Sequence, residues 1–111
     1  MPIRIQRRRT KGWRAPAEAV YVGRPTRFGN PFPAYDNSVQ ERATATLLFA
    51  NLLAGRATHP NPEHLIQYPS DDLIRALLGG RDLLCWCPLP EPGQPDHCHA
   101  AILLDIANRP T

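Results

Sequence analysis

The chain has 111 residues, of which 42% are hydrophobic, and a formal net charge of +3 at pH 7. This length suits one domain with its own core, and the apolar fraction argues against disorder. No apolar run approaches the roughly 18–20 residues that span a bilayer, and the first residues lack the apolar stretch of a secretory signal. We therefore expect a single cytoplasmic domain over residues 1–111 with no membrane partner.

Positive charge is concentrated at the start of the chain. Residues 1–30 hold eight of the 13 basic residues and a single acid, and residues 1–15 form an arginine-rich segment. Arginine binds phosphate and carboxylate through a two-pronged fork, and cations next to an aromatic ring suit single-stranded nucleic acid. The segment indicates either a solvated tail or a nucleic-acid contact made by Arg7, Arg8, Arg9, Lys11 and Trp13.

The first half of the chain predicts two short strands and one helix. Residues 3–5 alternate in polarity, and residues 19–22 are a β-prone run closed by Gly23. Ser38 and Glu41 match a capping box that opens a helix, which Gly55 ends. The three- and four-residue spacing of apolar positions predicts the buried face of this helix: Val39, Ala43, Leu47, Ala50 and Leu53.

The second half predicts a helix, a strand and a last helix. Ser70 caps a helix that ends at residues 79–80, and residues 82–87 form a buried strand. The last helix begins at His97 or Cys98 and ends before Pro110. Strands separated by helices pair in parallel, because a crossover needs a dozen or more residues. The expected fold is a small α/β domain, Rossmann-like, with a parallel or mixed sheet and flanking helices.

A glycine- and proline-rich loop at residues 23–33 follows the second predicted strand. Its two glycines and three prolines exclude helix and regular strand. The loop offers guanidinium donors for phosphate or carboxylate and a Gly-Asn turn before a proline. It is either a rigid loop with surface arginines or a ligand-binding loop that uses Arg24, Arg27, Gly29 and Asn30.

The cysteines of this chain lie close together near its end. Cys85 and Cys87 lie two residues apart on a predicted strand, so both thiols point to one face, whereas Trp86 points to the opposite face and into the core. Cys98 and His99 lie at the start of the last helix. An odd number of cysteines, two of them separated by one residue, does not resemble a disulfide framework.

Three interpretations of this cluster remain open. Three thiols and an imidazole can bind zinc, with Cys85, Cys87, Cys98 and His99 as ligands. Alternatively, Cys98 is a catalytic nucleophile whose pKa is lowered by the helix N-terminus, with His99 as acid or base. The third interpretation is packing, because cysteine is often buried as a small apolar residue.

The two candidate segments are expected to meet. In parallel α/β sheets, ligands bind beyond the carboxyl ends of the strands. The loop after residue 22 and the cysteine-rich stretch after residue 84 each follow a predicted strand. If those strands are parallel, both segments leave the sheet at the same edge and share one cleft.

Three motifs in chain order resemble one known family. They are residues 4–13, residues 20–32 and residues 84–88 with 98–100, and they span nearly the whole chain. The resemblance is to a bacterial and phage family catalogued as domain of unknown function 4326, which implies a small α/β domain and no particular activity. In that family an acid follows the Cys-His pair after a small residue, and Ala101 stands at this position here. Residues 91–96 resemble an insertion.

Two functions follow as hypotheses. The first is an enzyme or binding protein for a nucleotide or another small phosphorylated or anionic ligand, built from the Arg/Asn loop and the Cys/His cluster. The second is a nucleic-acid-binding or accessory module that contains a structural zinc site.

Overall fold

The computed structural model describes residues 2–34 and 38–109 of the chain. Three strands form one sheet: β1 (Arg4–Gln6), β2 (Val20–Tyr21) and β3 (Leu83–Cys85). The strand order is β1-β3-β2, and both neighbours pair with β3 in parallel. The predicted small α/β fold is therefore confirmed, with a fully parallel arrangement in the described sheet.

Within residues 2–34 and 38–109, four helical segments accompany the sheet: α1 (Val39–Gly55), a 3-10 turn (Pro62–His64), α2 (Asp71–Leu78) and α3 (His99–Asn108). The predicted caps of the first two α-helices are confirmed. Ser38 Oγ accepts a hydrogen bond from the amide of Glu41 at 3.1 Å, and Ser70 Oγ accepts one from the amide of Leu73 at 3.2 Å. The last helix ends at Asn108, which confirms the predicted end before Pro110, and its first helical residue is His99, just after the predicted start at His97 or Cys98.

The register places the ends of all three strands at one edge of the sheet. Leu83 lies opposite Arg4 on one side and opposite Val20 on the other. Past the end of β1, the amide of Arg7 donates to the carbonyl of Cys85 at 2.8 Å. Each strand therefore delivers its following loop to the same rim, which is where ligands bind in parallel sheets.

The core lies between the sheet and the helices. Helix α3 packs against β1, β3, α1 and α2, so it connects all layers of the domain. This explains why apolar residues occupy its inner positions, since burying such side chains is the main favourable contribution to folding. The largest fully buried side chains are Phe49, Ile74, Leu78, Leu83, Leu103, Val22 and Cys98.

The predicted buried face of α1 is wrong by part of a turn. Val39 is 55% exposed and Leu47 is 60% exposed. Leu53 is buried as predicted, and Ala43 and Ala50 are half-buried, but the other buried residues are Ala45 and Phe49, which lead to Leu53 in steps of four residues. The ring of Phe49 is the largest group on the helix, and its burial sets the rotation of α1 about its axis.

The third strand is shorter than the predicted run of residues 82–87. Pairing ends at Cys85, and the carbonyl oxygens of Cys87 and Pro88 accept hydrogen bonds from the Arg4 side chain rather than from a neighbouring strand. In the described parts of the chain, every helix is too short or too polar to cross a membrane.

Candidate functional site

A cleft of about 280 Å³ opens at the carboxyl ends of β2 and β3, next to the N-terminus of α3. Both predicted segments contribute to its walls, as the parallel arrangement requires. The loop after β2 supplies Gly23, Arg24 and Asn30, and α1 supplies Arg42, Ala45 and Thr46. The stretch after β3 and the start of α3 supply further lining residues: Trp86, Cys87, His97, Cys98 and His99.

Only two of the four predicted ligand-binding residues are lining residues of the cleft. Arg24 and Asn30 line the cleft, whereas Arg27 and Gly29 lie outside it. The guanidinium of Arg27 lies over the ring of Phe28, 5.5 Å from its centroid, and the residue is exposed. Gly29 packs closely against Arg24, since a Cβ added at this position would lie 3.1 Å from the Arg24 Cγ. The lack of a side chain at Gly29 therefore leaves room for the Arg24 side chain.

Asn30 fixes the loop to helix α1. Its side-chain amide donates to the carbonyl of Ala45 at 3.2 Å, and its side-chain oxygen accepts from the amide of Phe32 at 2.9 Å. Its main-chain carbonyl accepts from Nε and Nη2 of Arg24, at 3.2 and 2.9 Å. These bonds hold the Arg24 side chain along the cleft and use both ends of the Asn30 amide.

Arg42 is a second cleft arginine, and sequence patterning did not single it out. It lies on α1, half-buried, between the main cleft and a smaller cavity bordered by Pro88 and Asp96. Its Nε is buried and has no hydrogen-bond partner among the described residues. An unpaired buried donor is costly, so the geometry favours an acceptor there.

Aromatic rings and two further arginines form the rim of the cleft. Tyr21 and Trp86 line it, and the guanidinium of Arg7 lies 4.5 Å from the Tyr21 centroid and 4.9 Å from the Trp86 centroid. The guanidinium of Arg9 lies 4.6 Å from the Trp86 centroid. The expected core position of Trp86 is wrong, because β3 ends at Cys85 and the alternation of side chains stops there. The basic segment therefore adds positive charge beside the cleft.

The three cysteines meet at one side of the cleft. Their Sγ atoms lie within 4.8 Å of one another, and those of Cys85 and Cys87 are 3.9 Å apart. All three are free thiols, with Cys85 and Cys98 buried and Cys87 half-buried. This cluster of soft ligands is close enough together to hold a metal ion.

The thiols perturb one another strongly. Hydrogen bonds with Cys87 and Cys98 lower the pKa of Cys85 well below its usual range. The hydrogen bond with Cys85 raises the pKa of Cys87 to about 11. The pKa of Cys98 is raised as well, first by its hydrogen bond with Cys85, then by that with Cys87 and by burial.

The expected lowering of the Cys98 pKa by the helix N-terminus is therefore wrong. Cys98 is the N-cap of α3, but its side chain makes no capping hydrogen bond, so its sulfur faces the other thiols. Its assignment as a nucleophile stays a prediction.

His99 borders the cluster from the first turn of α3. Its Nε2 lies 2.8 Å from the carbonyl oxygen of Val22, and its Nδ1 lies 4.0 Å from the Sγ of Cys98. A carbonyl oxygen only accepts, so Nε2 carries the proton in the neutral ring and the lone pair of Nδ1 faces the sulfur. The ring edge of Phe49 packs against the imidazole at 5.6 Å.

Arg4 connects the two segments that carry the cysteines. It is only 7% exposed, and its guanidinium binds both carboxylate oxygens of Asp96 at 2.5 and 2.7 Å. It also donates to the carbonyls of Cys87 and Pro88 at 2.8 and 2.7 Å. Burial alone would lower the pKa of Arg4, but the hydrogen bond to Asp96 and the charges of Cys98 and Cys87 raise it.

The residues of this site that were not among the predicted site residues include Tyr21, Arg42, Trp86, Arg4 and Asp96. An arginine at the centre of a predicted strand is a signal for Arg4, since a charge that becomes buried there needs a partner. The spacing of apolar residues in α1 places Arg42 on the surface of the helix, so the sequence gives no comparable signal for its role in the cleft. The pairing of Arg4 with Asp96 joins residues 92 positions apart, which local patterning does not reveal.

These features define a small three-stranded parallel α/β domain with a basic, cysteine-bordered cleft at the carboxyl ends of its strands. A family model described as a domain of unknown function, DUF4326, matches residues 5–109, and the chain belongs to this family. No curated protein and no solved structure matches the chain.

Proposed function

We propose that this chain binds a small anionic ligand, a mononucleotide or a similar phosphorylated compound, in the cleft beyond β2 and β3. The observation that carries the proposal is the pairing of two arginines with aromatic rings in one cavity. Arg24 and Arg42 line it together with Tyr21, Phe32 and Trp86.

The charge of the cleft supports an anion. Among the lining residues that the structure describes, none carries a carboxylate. Nη2 and Nε of Arg24 bind the Asn30 carbonyl, so Nη1 is the remaining nitrogen of this guanidinium, and Nε of Arg42 has no partner within the described ranges. Guanidinium groups bind phosphate oxygens through charge-assisted hydrogen bonds.

The size and the walls of the cleft support a single small ligand. Its volume of about 280 Å³ lies at the lower end of ligand pockets, which are commonly roughly 300–1,000 Å³. Aromatic side chains stack on the faces of bases in nucleotide-binding proteins. The position beyond parallel strands is the one at which such sheets bind nucleotides.

Titration of nucleoside monophosphates tests this proposal. Trp86 lines the cleft, and in a Trp13→Phe protein it is the sole tryptophan, so its fluorescence reports binding. We expect binding by a monophosphate and much weaker binding by the matching nucleoside. No change in fluorescence or heat with any mononucleotide or sugar phosphate at millimolar concentration would refute the proposal.

Arginine variants separate cleft binding from general positive charge. Arg24→Gln and Arg42→Gln each remove a charged donor, which contributes about 1.5–3 kcal/mol and so weakens binding about 10–100-fold. Arg27→Gln is the matched control, because Arg27 lies on the same loop with its guanidinium outside the cleft. Equal losses in all three variants would contradict a localised site.

The nucleic-acid hypothesis is tested in the same titration. Binding of a single-stranded oligonucleotide through the basic segment would fall steeply with salt and with neutralisation of Arg7, Arg8 and Arg9. Preference for the oligonucleotide over every monophosphate would replace the proposed function with this one.

A further inference from the structure

We propose that Cys85, Cys87 and Cys98 bind a zinc ion as thiolates, with Nδ1 of His99 as the fourth ligand. This site is separate from the anion site, although both border the cleft. The proposal rests on sulfur geometry, on the orientation of one imidazole and on a buried arginine beside them.

The spacing of the sulfurs fits a tetrahedral ion. Zn–S bonds of about 2.3 Å hold the sulfurs of a tetrahedral site about 3.8 Å apart. The Sγ atoms of Cys85 and Cys87 are 3.9 Å apart, and all three Sγ atoms fall within 4.8 Å of one another.

The imidazole of His99 is oriented as in metal-binding histidines. Such histidines donate their other ring N–H to a carbonyl or carboxylate, which fixes the tautomer and the ring plane. Nε2 of His99 is 2.8 Å from the Val22 carbonyl, and Nδ1 is 4.0 Å from the Cys98 sulfur. The ring is 5% exposed, so it has little freedom to turn away.

The fold holds these ligands on different elements. Cys85 ends the central strand, Cys87 lies in the loop that follows, and Cys98 and His99 open α3. An ion at this point would link the sheet to the helix across the long loop of residues 88–97. Because the four ligands come together only in the folded chain, zinc binding would stabilise the folded state and the closed loop.

Arg4 matches the charge and fixes the ligand segments. Three thiolates, a neutral imidazole and Zn²⁺ carry one net negative charge, and the permanently charged guanidinium of Arg4 lies beside them, bound to the Cys87 carbonyl at 2.8 Å. The same guanidinium holds the Cys87 carbonyl and Asp96, two residues before Cys98. Arg4 is therefore a positioning residue for both ligand-bearing segments.

Metal analysis of the full-length protein tests the inference. The protein is purified under reducing conditions without chelator, and Zn²⁺ is measured by mass spectrometry. We expect one zinc ion per chain. Replacement by Co²⁺ is expected to give sulfur-to-cobalt charge-transfer absorption and the intense visible bands of tetrahedral cobalt. Protein that binds neither ion at stoichiometric concentration, or cobalt without sulfur absorption, would overturn the proposal.

Variants identify the ligands. Cys87→Ser changes a half-buried side chain and keeps its shape, so it tests the site without emptying the core. Loss of a residue that only holds a metal ligand typically lowers metal affinity about 10–100-fold, and we expect a loss in that range for Arg4→Gln. For Cys87→Ser, which removes a ligand itself, we expect a larger loss of zinc affinity. Unchanged zinc affinity in Cys87→Ser would overturn the proposed ligand set.

The two histidines supply a matched pair. His97 also lines the cleft and precedes Cys98, but it is absent from the proposed ligand set. His99→Ala is expected to shift the visible cobalt bands and weaken binding, whereas His97→Ala leaves both unchanged. The reverse pattern, or an unaltered cobalt spectrum in folded His99→Ala, would contradict the assignment of Nδ1. These measurements use metal alone, so their outcome is independent of nucleotide binding.

Discussion

Replacement of Arg4 by glutamine should destabilise the domain more than any surface charge change. The guanidinium makes two bonds to Asp96 and one each to the carbonyls of Cys87 and Pro88. Loss of one partner from a buried ion pair costs about 3–5 kcal/mol. The side chain of Asp96 is 21% exposed, so water partly restores its solvation and the lower end applies, about 3 kcal/mol.

This loss is large relative to the stability of a small domain. The free energy of unfolding of such domains is commonly about 5–15 kcal/mol. A loss of about 3 kcal/mol lowers the thermal midpoint of unfolding by roughly 12–15 °C. Urea unfolding followed by tryptophan fluorescence measures the change, because Trp86 lies next to the loop that Arg4 holds.

A surface pair provides the control for Arg4. Arg81 and Glu18 are 49% and 91% exposed and 3.6 Å apart, and such a pair contributes roughly 0–1 kcal/mol. Arg81→Gln should therefore leave the urea midpoint nearly unchanged. A double-mutant cycle with Asp96→Asn should show strong coupling between Arg4 and Asp96. If Arg4→Gln destabilises the domain no more than Arg81→Gln does, the stabilising role assigned to the buried Arg4–Asp96 pair is refuted.

Two further predictions concern packing. Phe49→Ala removes a fully buried ring and should cost about 3–5 kcal/mol in urea unfolding, whereas Leu47→Ala, on the exposed face, should change stability by about 0.5 kcal/mol or less. Similar costs for the two would contradict the observed rotation of α1. Gly79→Ala places a Cβ 2.6 Å from the carbonyl oxygen of Arg75 and should cost about 1–3 kcal/mol. Gly55→Ala, with no atom within 4 Å of the added Cβ, should be neutral or slightly stabilising. Equal changes in the free energy of unfolding for Gly79→Ala and Gly55→Ala would refute the steric argument.

Local patterns were sufficient to predict the three α-helices, the approximate strands and the meeting of two loop segments at one edge of the sheet. The caps at Ser38 and Ser70 and the strand-forming runs follow from nearest neighbours along the chain, and helices between strands imply parallel pairing. Parallel pairing then brings Arg24 and the cysteines to one edge, as the structure shows.

Features that depend on distant contacts were not predictable in this way. The rotation of α1 is set by how Phe49 packs against Tyr68 and His99, which are remote in sequence. The half-buried position of Trp86, outside the core, depends on where pairing of β3 stops. The charge state of Cys98 depends on two other thiols rather than on its own helix, so spacing alone gave the wrong direction for its pKa.

Anion binding in the cleft is the property on which the proposed function of this protein depends most. Amide chemical-shift mapping with a nucleoside monophosphate locates that place directly, without any substitution. We predict the largest shifts at residues 23–30, 42–46 and 85–87, with little change along α2. Shifts confined to the basic residues 7–14, or spread over the surface without a maximum at the cleft, would contradict it.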